Sequence, residues 1–263
     1  MSFFLVSTSN GKLSMKANSS YPLNSDSSLL VYYTFEDVSG NLVFNKKTNN
    51  YDASLNGTAN SLISTSTYKN GTRSLSPTGA SNSWLINSNR YNVGLNGFTI
   101  ACWFNISSTN FNSGGYLWSF NNYLGDASGN AYFLNLTVDD SNYLLINSNS
   151  NGINWGRNGG KYTTSLSLNT WYHVVVCISS PTPTPLTSYM YVNGSLVQTL
   201  NLTSNGGTYP VASDGIIERL AIGGYYNSGG ISTNTAFNGY IDDYRLYNRV
   251  LSAAEITSLY NYK

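Results

Sequence analysis

The chain has 263 residues, of which 10% are charged and 14% are aromatic, and its formal net charge is +1. This length suits one large all-β domain, and the aromatic content argues against a disordered chain. The 13 basic residues are scattered and balanced by 12 acidic ones, so the sequence offers no basic surface for nucleic acid. No apolar run approaches the roughly 20 residues that cross a bilayer, and we expect no membrane insertion.

The first 28 residues differ from the rest of the chain. A short apolar start is followed by a polar, irregular stretch, and the first positive charge is Lys12. A secretory signal needs a basic start and roughly 7–15 apolar residues, so no signal peptide is predicted. We expect residues 1–28 to form an arm or an extra edge strand and residues 29–263 to form the main domain.

Most of that domain consists of short apolar and aromatic runs that end at Gly, Asn, Asp or Ser, which is typical of a sandwich or barrel. The clearest predicted strands cover residues 29–36, 98–106, 130–138, 171–179, 188–192 and 239–247. Phe98, Ile100, Cys102 and Phe104 occupy alternate positions, which predicts a strand with one core face.

Two local signals are sharper. Asn193-Gly194 between two strand-like runs predicts a tight type I′ hairpin. Near the C-terminus, Ser252-Ala-Ala-Glu255 matches a helix capping box, and the helix should reach about residue 260. The two cysteines, Cys102 and Cys177, fall inside predicted strands, where buried free thiols are favoured over a disulfide.

Several motifs follow one another in a characteristic order. They are Tyr32-Tyr-Thr-Phe-Glu36, Leu55-Asn-Gly57, Phe98-Thr-Ile-Ala-Cys-Trp103, Leu168-Asn-Thr-Trp-Tyr-His-Val174, Tyr191-Val-Asn-Gly194 and the run from Gly239 to Ile256. In this order they resemble laminin G-like jelly rolls in the bacterial and viral branch of the concanavalin A-like lectin/glucanase superfamily. The resemblance implies a two-sheet antiparallel jelly-roll sandwich with one short C-terminal helix. It leaves function open, since this fold serves sugar binding, adhesion, scaffolding and hydrolysis.

Hydrolysis is disfavoured. The resemblance implies that a glucanase would carry two glutamates at alternating positions of one strand, so that both face the substrate. The chain has only three glutamates, Glu36, Glu218 and Glu255, and none is near another. The single histidine, His173, lies in a predicted strand, where a hydrogen-bonded structural role is favoured over catalysis. We therefore predict that the domain is not an enzyme.

Calcium is the candidate cofactor, because carboxylate and amide oxygens are abundant. The resemblance places Glu36 at the end of the first core strand and Asp242 in the last, as neighbours. The loop Asp126-Ala-Ser-Gly-Asn130 is a second candidate. The alternative for Glu36 and Asp242 is a hydrogen-bonded carboxylate that pairs with Arg245, a lysine or backbone amides. The resemblance weakens the metal hypothesis, since an acidic turn expected after the first strand is replaced by Asn45-Lys-Lys-Thr48.

A sugar site needs an exposed aromatic ring beside amides, hydroxyls or a cation. Trp155, Arg157 and Asn158 supply these in a predicted Gly-rich loop, and Tyr225 and Tyr226 lie in a similar one. The alternative for Trp155 is a ring that packs back onto the sheet. Of the other tryptophans, Trp84, Trp103 and Trp171 are assigned to the core, and the place of Trp118 is left open.

Two functions remain. The first is an outward-facing structural or attachment component of a larger assembly, such as a virion, with neighbouring subunits as partners. The second is a free lectin module that binds a glycan or glycoprotein. Without a signal peptide, the predicted location is a virion or particle surface, with an extracellular location as the alternative.

Overall fold

The computed structural model describes residues 23–47, 50–56, 59–79, 83–108, 115–122, 132–150, 153–155, 160–179, 187–201, 215–227, 230–231 and 236–262. In chain order the elements are β1 (Leu29–Tyr33), β2 (Val38–Ser39), β3 (Leu42–Val43), β4 (Ala53–Asn56), α1 (Ala59–Leu62), β5 (Ile63–Ser64), β6 (Ser74–Leu75), β7 (Trp84–Asn92), β8 (Gly97–Ile106), β9 (Gly115–Asn122), β10 (Tyr132–Val138), β11 (Leu144–Ser150), β12 (Ile153–Trp155), β13 (Trp171–Ser179), β14 (Thr187–Val192), β15 (Ser195–Asn201), β16 (Ile216–Ile222), β17 (Tyr226–Asn227), β18 (Gly230–Ile231), β19 (Gly239–Tyr247) and α2 (Ala253–Asn261).

Two antiparallel sheets form a sandwich. The eight-stranded sheet has the order β15-β14-β13-β8-β19-β6-β5, and β1 also pairs with β19. The nine-stranded sheet has the order β12-β11-β10-β9-β16-β7-β4-β3-β2. The predicted all-β jelly-roll sandwich with one short C-terminal helix is confirmed. Within the described ranges, no helix is long and apolar enough to cross a membrane.

The main core lies between the sheets and takes alternate residues from facing strands. From β8 it receives Phe98, Ile100, Cys102 and Phe104, as their spacing predicts. The prediction of a single core face for this strand is wrong, however, because every residue of β8 is buried. Its second face lies on the outside of the sandwich and is covered by other parts of the chain.

Helix α2 provides much of this cover. Ile256 and Leu259 pack with Ala101 and Val175 of the sheet in a second apolar cluster. The helix starts as predicted, since Ser252 and Glu255 form a reciprocal capping box. A cap of this kind stabilises a helix by about 1 kcal/mol. The local signal therefore sets where α2 begins, and burial of its apolar side holds it on the sheet.

The hairpin and the cysteines also agree with the sequence. Asn193 and Gly194 have φ values of 50° and 78° between β14 and β15, as a type I′ turn requires. Cys102 and Cys177 are free and buried. Cys102 belongs to the core between the sheets and Cys177 to the cluster under α2, so the two thiols lie on opposite faces of one sheet.

Residues 23–28, which the sequence assigns to the N-terminal arm, contact the sandwich. Arg249 donates hydrogen bonds to Asp26 and, at 2.6 and 3.0 Å, to Glu255 at the start of α2. Lys47 Nζ donates to the carbonyl of Asp26 at 2.8 Å. One guanidinium thus ties the segment before β1 to the helix that covers the sheet.

This arrangement predicts acid sensitivity. Hydrogen bonds from Arg249 lower the pKa of Glu255 from its ordinary 4.5 to about 2. A carboxylate with a lowered folded-state pKa stabilises the protein fully above its unfolded pKa, and this contribution disappears as the pH falls to the folded value. We expect the free energy of unfolding to fall between about pH 4.5 and pH 2. Glu255→Gln keeps a capping side chain but should lack this part of the fall.

Chemical denaturation at several pH values measures the effect. Asp140→Asn, which neutralises an exposed turn carboxylate, is the control for net charge. Parallel pH curves for the wild type and Glu255→Gln would contradict the assignment.

Candidate functional site

Two carboxylates hold one segment, residues 69–73: Asp242 in β19 and Glu36, three residues after the end of β1. Glu36 Oε1 accepts the backbone N–H groups of Thr72 and Arg73, both at 2.8 Å, and its Oε2 accepts the Thr72 hydroxyl at 2.7 Å. Asp242 Oδ2 accepts the N–H groups of Lys69 at 2.8 Å and of Asn70 at 3.1 Å. Together Glu36 and Asp242 form a carboxylate clamp on the two ends of this segment.

Gly71 lies at the middle of the clamped segment. Its φ of +68° is in the left-handed region, which favours glycine. A Cβ atom at this position would also overlap Glu36 Oε1. The clamp therefore needs glycine both for backbone conformation and for the close approach of the carboxylate.

Behind the clamp lies a buried polar network at a bulge in β19. The pairing of β19 with β8 shifts register between Asp242 and Arg245, and Asp243 has a φ of 50°. Asp243 accepts hydrogen bonds from Tyr32 Oη at 2.7 Å and from the Asn70 amide. Arg245 donates to Tyr32 Oη at 3.0 Å and lies 4.3 Å from that ring centroid. Burial, and then the Asp243 charge, raise the pKa of Asp242 well above its ordinary value.

The strands β1 and β19 are neighbours, as expected. Glu36, however, is not the end of its strand, because β1 stops at Tyr33 and Glu36 follows three residues later. The contacts of Glu36 and Asp242 match the hydrogen-bonded alternative, because their oxygens accept from backbone N–H groups and a hydroxyl. The N–H and hydroxyl donors direct their partial positive charge at the carboxylate oxygens. A calcium ion at this position would need oxygen ligands in place of these donors. Among the described residues, no three His, Cys, Asp or Glu side chains cluster as a metal site. Calcium at these residues stays a prediction, and the loop at residues 126–130 lies outside the described residues.

His173 lies on the outer face of the eight-stranded sheet and is only 3% exposed. Its ring packs 5.0 Å from Trp103 and 6.2 Å from Tyr260 between centroids. Burial, with the charges of Arg245 and Lys69, lowers its pKa to about 3. The imidazole is therefore neutral at physiological pH and is shielded from any substrate.

The predicted sugar-binding residues are only partly described. Trp155 ends β12, where it pairs with Ser148 at the edge of the nine-stranded sheet and is not in a loop. Arg157 and Asn158 lie outside the described residues. Tyr225 packs 5.0 Å from Tyr116 of β9, and Tyr226 begins β17.

Trp155 and Tyr225, one from each predicted cluster, are not brought together. Three strand spacings separate β12 from β9, which carries Tyr116 beside Tyr225. At about 4.8 Å per spacing, the two groups lie about 14 Å apart across the sheet. They therefore do not form a single contact surface for one sugar ring.

The assignment of tryptophans to the core needs one correction. Trp84 and Trp103 are buried, and so is Trp118, whose place the sequence left open. Trp171 is only partly buried. It lies on the outer face because the alternate residues Val174 and Val176 of its strand face the core between the sheets.

Trp171 is one end of a cross-strand row that sequence reasoning missed. It lies opposite Asn105 of β8, which lies opposite Tyr240 of β19. The Trp171 and Tyr240 rings are 6.5 Å apart between centroids and inclined at 45°. We call Trp171, Asn105 and Tyr240 the outer row. The alternation of apolar residues at Val174 and Val176 could have shown that Trp171 faces outward, but the strand pairing was needed to join it to Tyr240.

Comparison with protein families identifies the superfamily of the chain. A model described as the concanavalin A-like lectin/glucanases superfamily matches residues 78–257, more than half of the chain. The match includes β8, β13 and β19, which carry the outer row. No curated protein sequence matches the chain.

Solved structures with the same fold include enzymes and binding domains. A Trypanosoma rangeli sialidase in complex with the inhibitor DANA has a TM-score of 0.59 at 19% identity, over 88% of this chain and 32% of the sialidase. The binding domain of Paraclostridial Mosquitocidal Protein 1 has a TM-score of 0.57 at 14% identity, over 91% and 52% of the two chains. The receptor binding domain of botulinum neurotoxin type G has a TM-score of 0.54 at 13% identity, over 89% and 51%. The chain thus spans between a third and a half of these structures, and such low identities show the fold alone.

The clamp predicts a loss of stability when either carboxylate is removed. Glu36→Ala and Asp242→Ala each leave at least two backbone N–H groups of residues 69–73 without an acceptor. We expect each change to cost about 1–3 kcal/mol of unfolding free energy, with Glu36 at the lower end because water reaches it more easily. Thermal and chemical denaturation measure this, with Asp140→Ala as the surface control. A calcium-dependent rise in melting temperature that both variants lack would favour the metal hypothesis instead.

The close approach at Gly71 has a matched control in the same chain. Gly40 also has a positive φ, +58°, but a Cβ there would meet no atom within 4 Å. Gly40→Ala should cost only the left-handed conformation, about 1–2 kcal/mol. Gly71→Ala should cost about 1–3 kcal/mol more, because the added carbon displaces Glu36.

A double-mutant cycle separates the two terms. In a Glu36→Ala background, the cost of Gly71→Ala should fall to that of Gly40→Ala. Equal costs of the two glycine substitutions in the wild-type background would show that Glu36 does not set the local packing.

Proposed function

Because the chain belongs to the concanavalin A-like lectin/glucanase superfamily, we propose that it is a non-enzymatic, lectin-like module that attaches a larger protein or assembly to a glycan or glycoprotein. Sugar rings bind to proteins by stacking on aromatic rings and by hydrogen bonds to a few polar groups placed beside them. The observation that carries the proposal is a contrast within one sheet. Partly exposed aromatic rings lie on its outer face, whereas the carboxylates beside them are buried and hydrogen-bonded.

The contrast argues against hydrolysis. Glycoside hydrolysis needs two carboxyl groups that flank the scissile bond. The adjacent carboxylates in β19, Asp242 and Asp243, are only 1% and 5% exposed, and both accept hydrogen bonds from the protein. A sugar cannot reach them without displacing the 69–73 segment. Asp139, at another turn, is paired with Lys161 at 3.0 Å.

The similar solved structures support a binding role. Two of them are named as a binding domain and a receptor binding domain, and in both the similar region is about half of the chain. A module of this kind is typically one part of a larger protein or particle. The sequence-based contact residues Trp155, Arg157, Asn158, Tyr225 and Tyr226 remain candidates for that role.

The sequence favours one form of this proposal, in which the domain faces outward on a particle such as a virion. Residues 1–22 would then contact a neighbouring subunit, while residues 23–28 stay with the sandwich through Arg249 and Lys47. Deletion of residues 1–22 should block incorporation into the particle in a variant that circular dichroism shows to be folded. Normal incorporation of the deletion variant would contradict the assembly role and leave a free lectin module.

We expect binding without turnover. The full chain, applied to an array of neutral and sialylated oligosaccharides, should retain a subset of them. The same oligosaccharides, incubated with the protein and separated by chromatography, should stay intact. Turnover that disappears in Asp242→Asn or Asp243→Asn, in protein that remains folded, would make the domain an enzyme. No retention of any glycan would remove the lectin proposal.

A further inference from the structure

The outer row crosses three adjacent strands on the exposed side of the eight-stranded sheet. Asn105 lies between Phe104 and Ile106, which both belong to the core between the sheets, so its own side chain points outward. The strand pairing then places Trp171 and Tyr240 on either side of it. At about 4.8 Å between strands, the two aromatic positions are about 10 Å apart.

The next row along the same face is covered. Trp103 packs against Tyr260 of α2 at 5.7 Å, and Lys69 Nζ lies 4.1 Å from the centroid of a Trp103 ring. Helix α2 and the clamped segment thus cover the sheet as far as Trp103. Both Trp171 and Tyr240 keep part of their surface exposed, so the cover ends at the outer row.

Asn105 adds a buried amide oxygen that accepts no hydrogen bond. The residue is only 4% exposed, yet its Oδ1 has no hydrogen-bond partner. A buried acceptor without a donor costs about 1–3 kcal/mol, and such groups are rare in folded proteins. The two rings beside it are partly exposed and lie 6.5 Å apart between centroids, so a hydroxyl donor from outside reaches this oxygen only when one of the rings rotates away.

These features point to a ligand with apolar faces and hydroxyl donors. Aromatic rings present flat apolar surfaces, and an amide can accept from a hydroxyl or donate to it. The outer row itself carries no charge, and Lys69, on the next row, is engaged with Trp103. The carboxyl oxygens of the nearby Asp242 accept hydrogen bonds from backbone amides. An anionic sugar would therefore gain no ion pair from this row.

We propose that the outer row is the glycan contact site and that its ligand is a neutral, hexose-containing glycan. Trp171 and Tyr240 stack on sugar faces, and Asn105 bonds a hydroxyl once the two rings, 6.5 Å apart between centroids in the free domain, move apart. This inference rests on the proposed lectin function. It assigns glycan binding to the paired strands β13, β8 and β19 and not to Trp155 or Tyr225. It also separates the ligand from sialic acid, which one of the similar T. rangeli sialidase structures contains.

The test uses the full chain and titration calorimetry with lactose, cellobiose and mannobiose, and with sialyllactose as the charged counterpart of lactose. Trp171→Ala and Tyr240→Ala should each weaken binding of a neutral disaccharide at least tenfold. Phe44→Ala, which removes an exposed ring near an edge of the other sheet, is the matched control and should bind like the wild type.

Asn105→Ala distinguishes a ligand contact from a structural residue. Its Oδ1 has no partner in the free domain, so its removal should not lower the free energy of unfolding, while affinity falls. A large loss of stability together with the loss of affinity would assign Asn105 to the fold and would overturn its place in the site.

The possible failures are distinguishable. If no disaccharide binds and the glycan array is also negative, the lectin function itself fails. If Trp155→Ala abolishes binding and Trp171→Ala does not, the function stands and the outer row is the wrong site. If sialyllactose binds and lactose does not, the assigned ligand class is wrong.

Discussion

The constraint on which the rest of this structure depends is the complete burial of β8. Every residue from Gly97 to Ile106 is buried, although the strand belongs to a two-layer sandwich in which only one face meets the opposing sheet. The second face includes Trp103 and Ala101, which cannot remain in water without exposing apolar surface at the centre of the sheet. The chain must therefore supply a third layer over this strand.

Two different parts of the chain form that third layer. On one side α2 packs Ile256 and Leu259 against the sheet, and its capping box and the Arg249 ion pairs hold its first turn. On the other side residues 69–73, which precede β6, form no helix or strand, so their backbone N–H groups need other acceptors. The carboxylates of Glu36 and Asp242 provide them.

The carboxylate clamp also explains why charged residues lie in an interior that otherwise avoids them. Asp242, Asp243 and Arg245 are buried together in a chain with only 10% charged residues. Buried charges are stabilising only when hydrogen bonds and opposite charges surround them. Here Asp243 accepts from Tyr32, which in turn accepts from Arg245, and Asp242 accepts from backbone amides. The bulge in β19 allows both adjacent carboxylates to reach this network, since consecutive residues of a regular strand point to opposite faces.

Local signals were enough to predict the sheet class, the Asn193–Gly194 hairpin and the start of α2, because each depends on residues within a few positions of one another. The clamp could not be predicted in this way, since Glu36 and Thr72 are distant in sequence and meet only through the fold. The exposure of Trp171 is a similar case. A tryptophan within a predicted strand is normally assigned to the core. Trp171 is partly exposed because the third layer ends before it covers this residue.

The same reasoning relates the outer row to its surroundings. Over Trp103 the cover of β8 comes from α2 and residues 69–73, whereas Asn105 is buried between the rings of Trp171 and Tyr240, which are themselves only partly buried. The row therefore has two partly exposed rings and a buried amide oxygen that has no donor. Strand pairing on both sides of Asn105 fixes the backbone positions of the row before any ligand arrives. A site on paired strands loses less conformational entropy on binding than one on a loop such as the one that carries Tyr225, which is a physical reason to prefer the outer row to that loop.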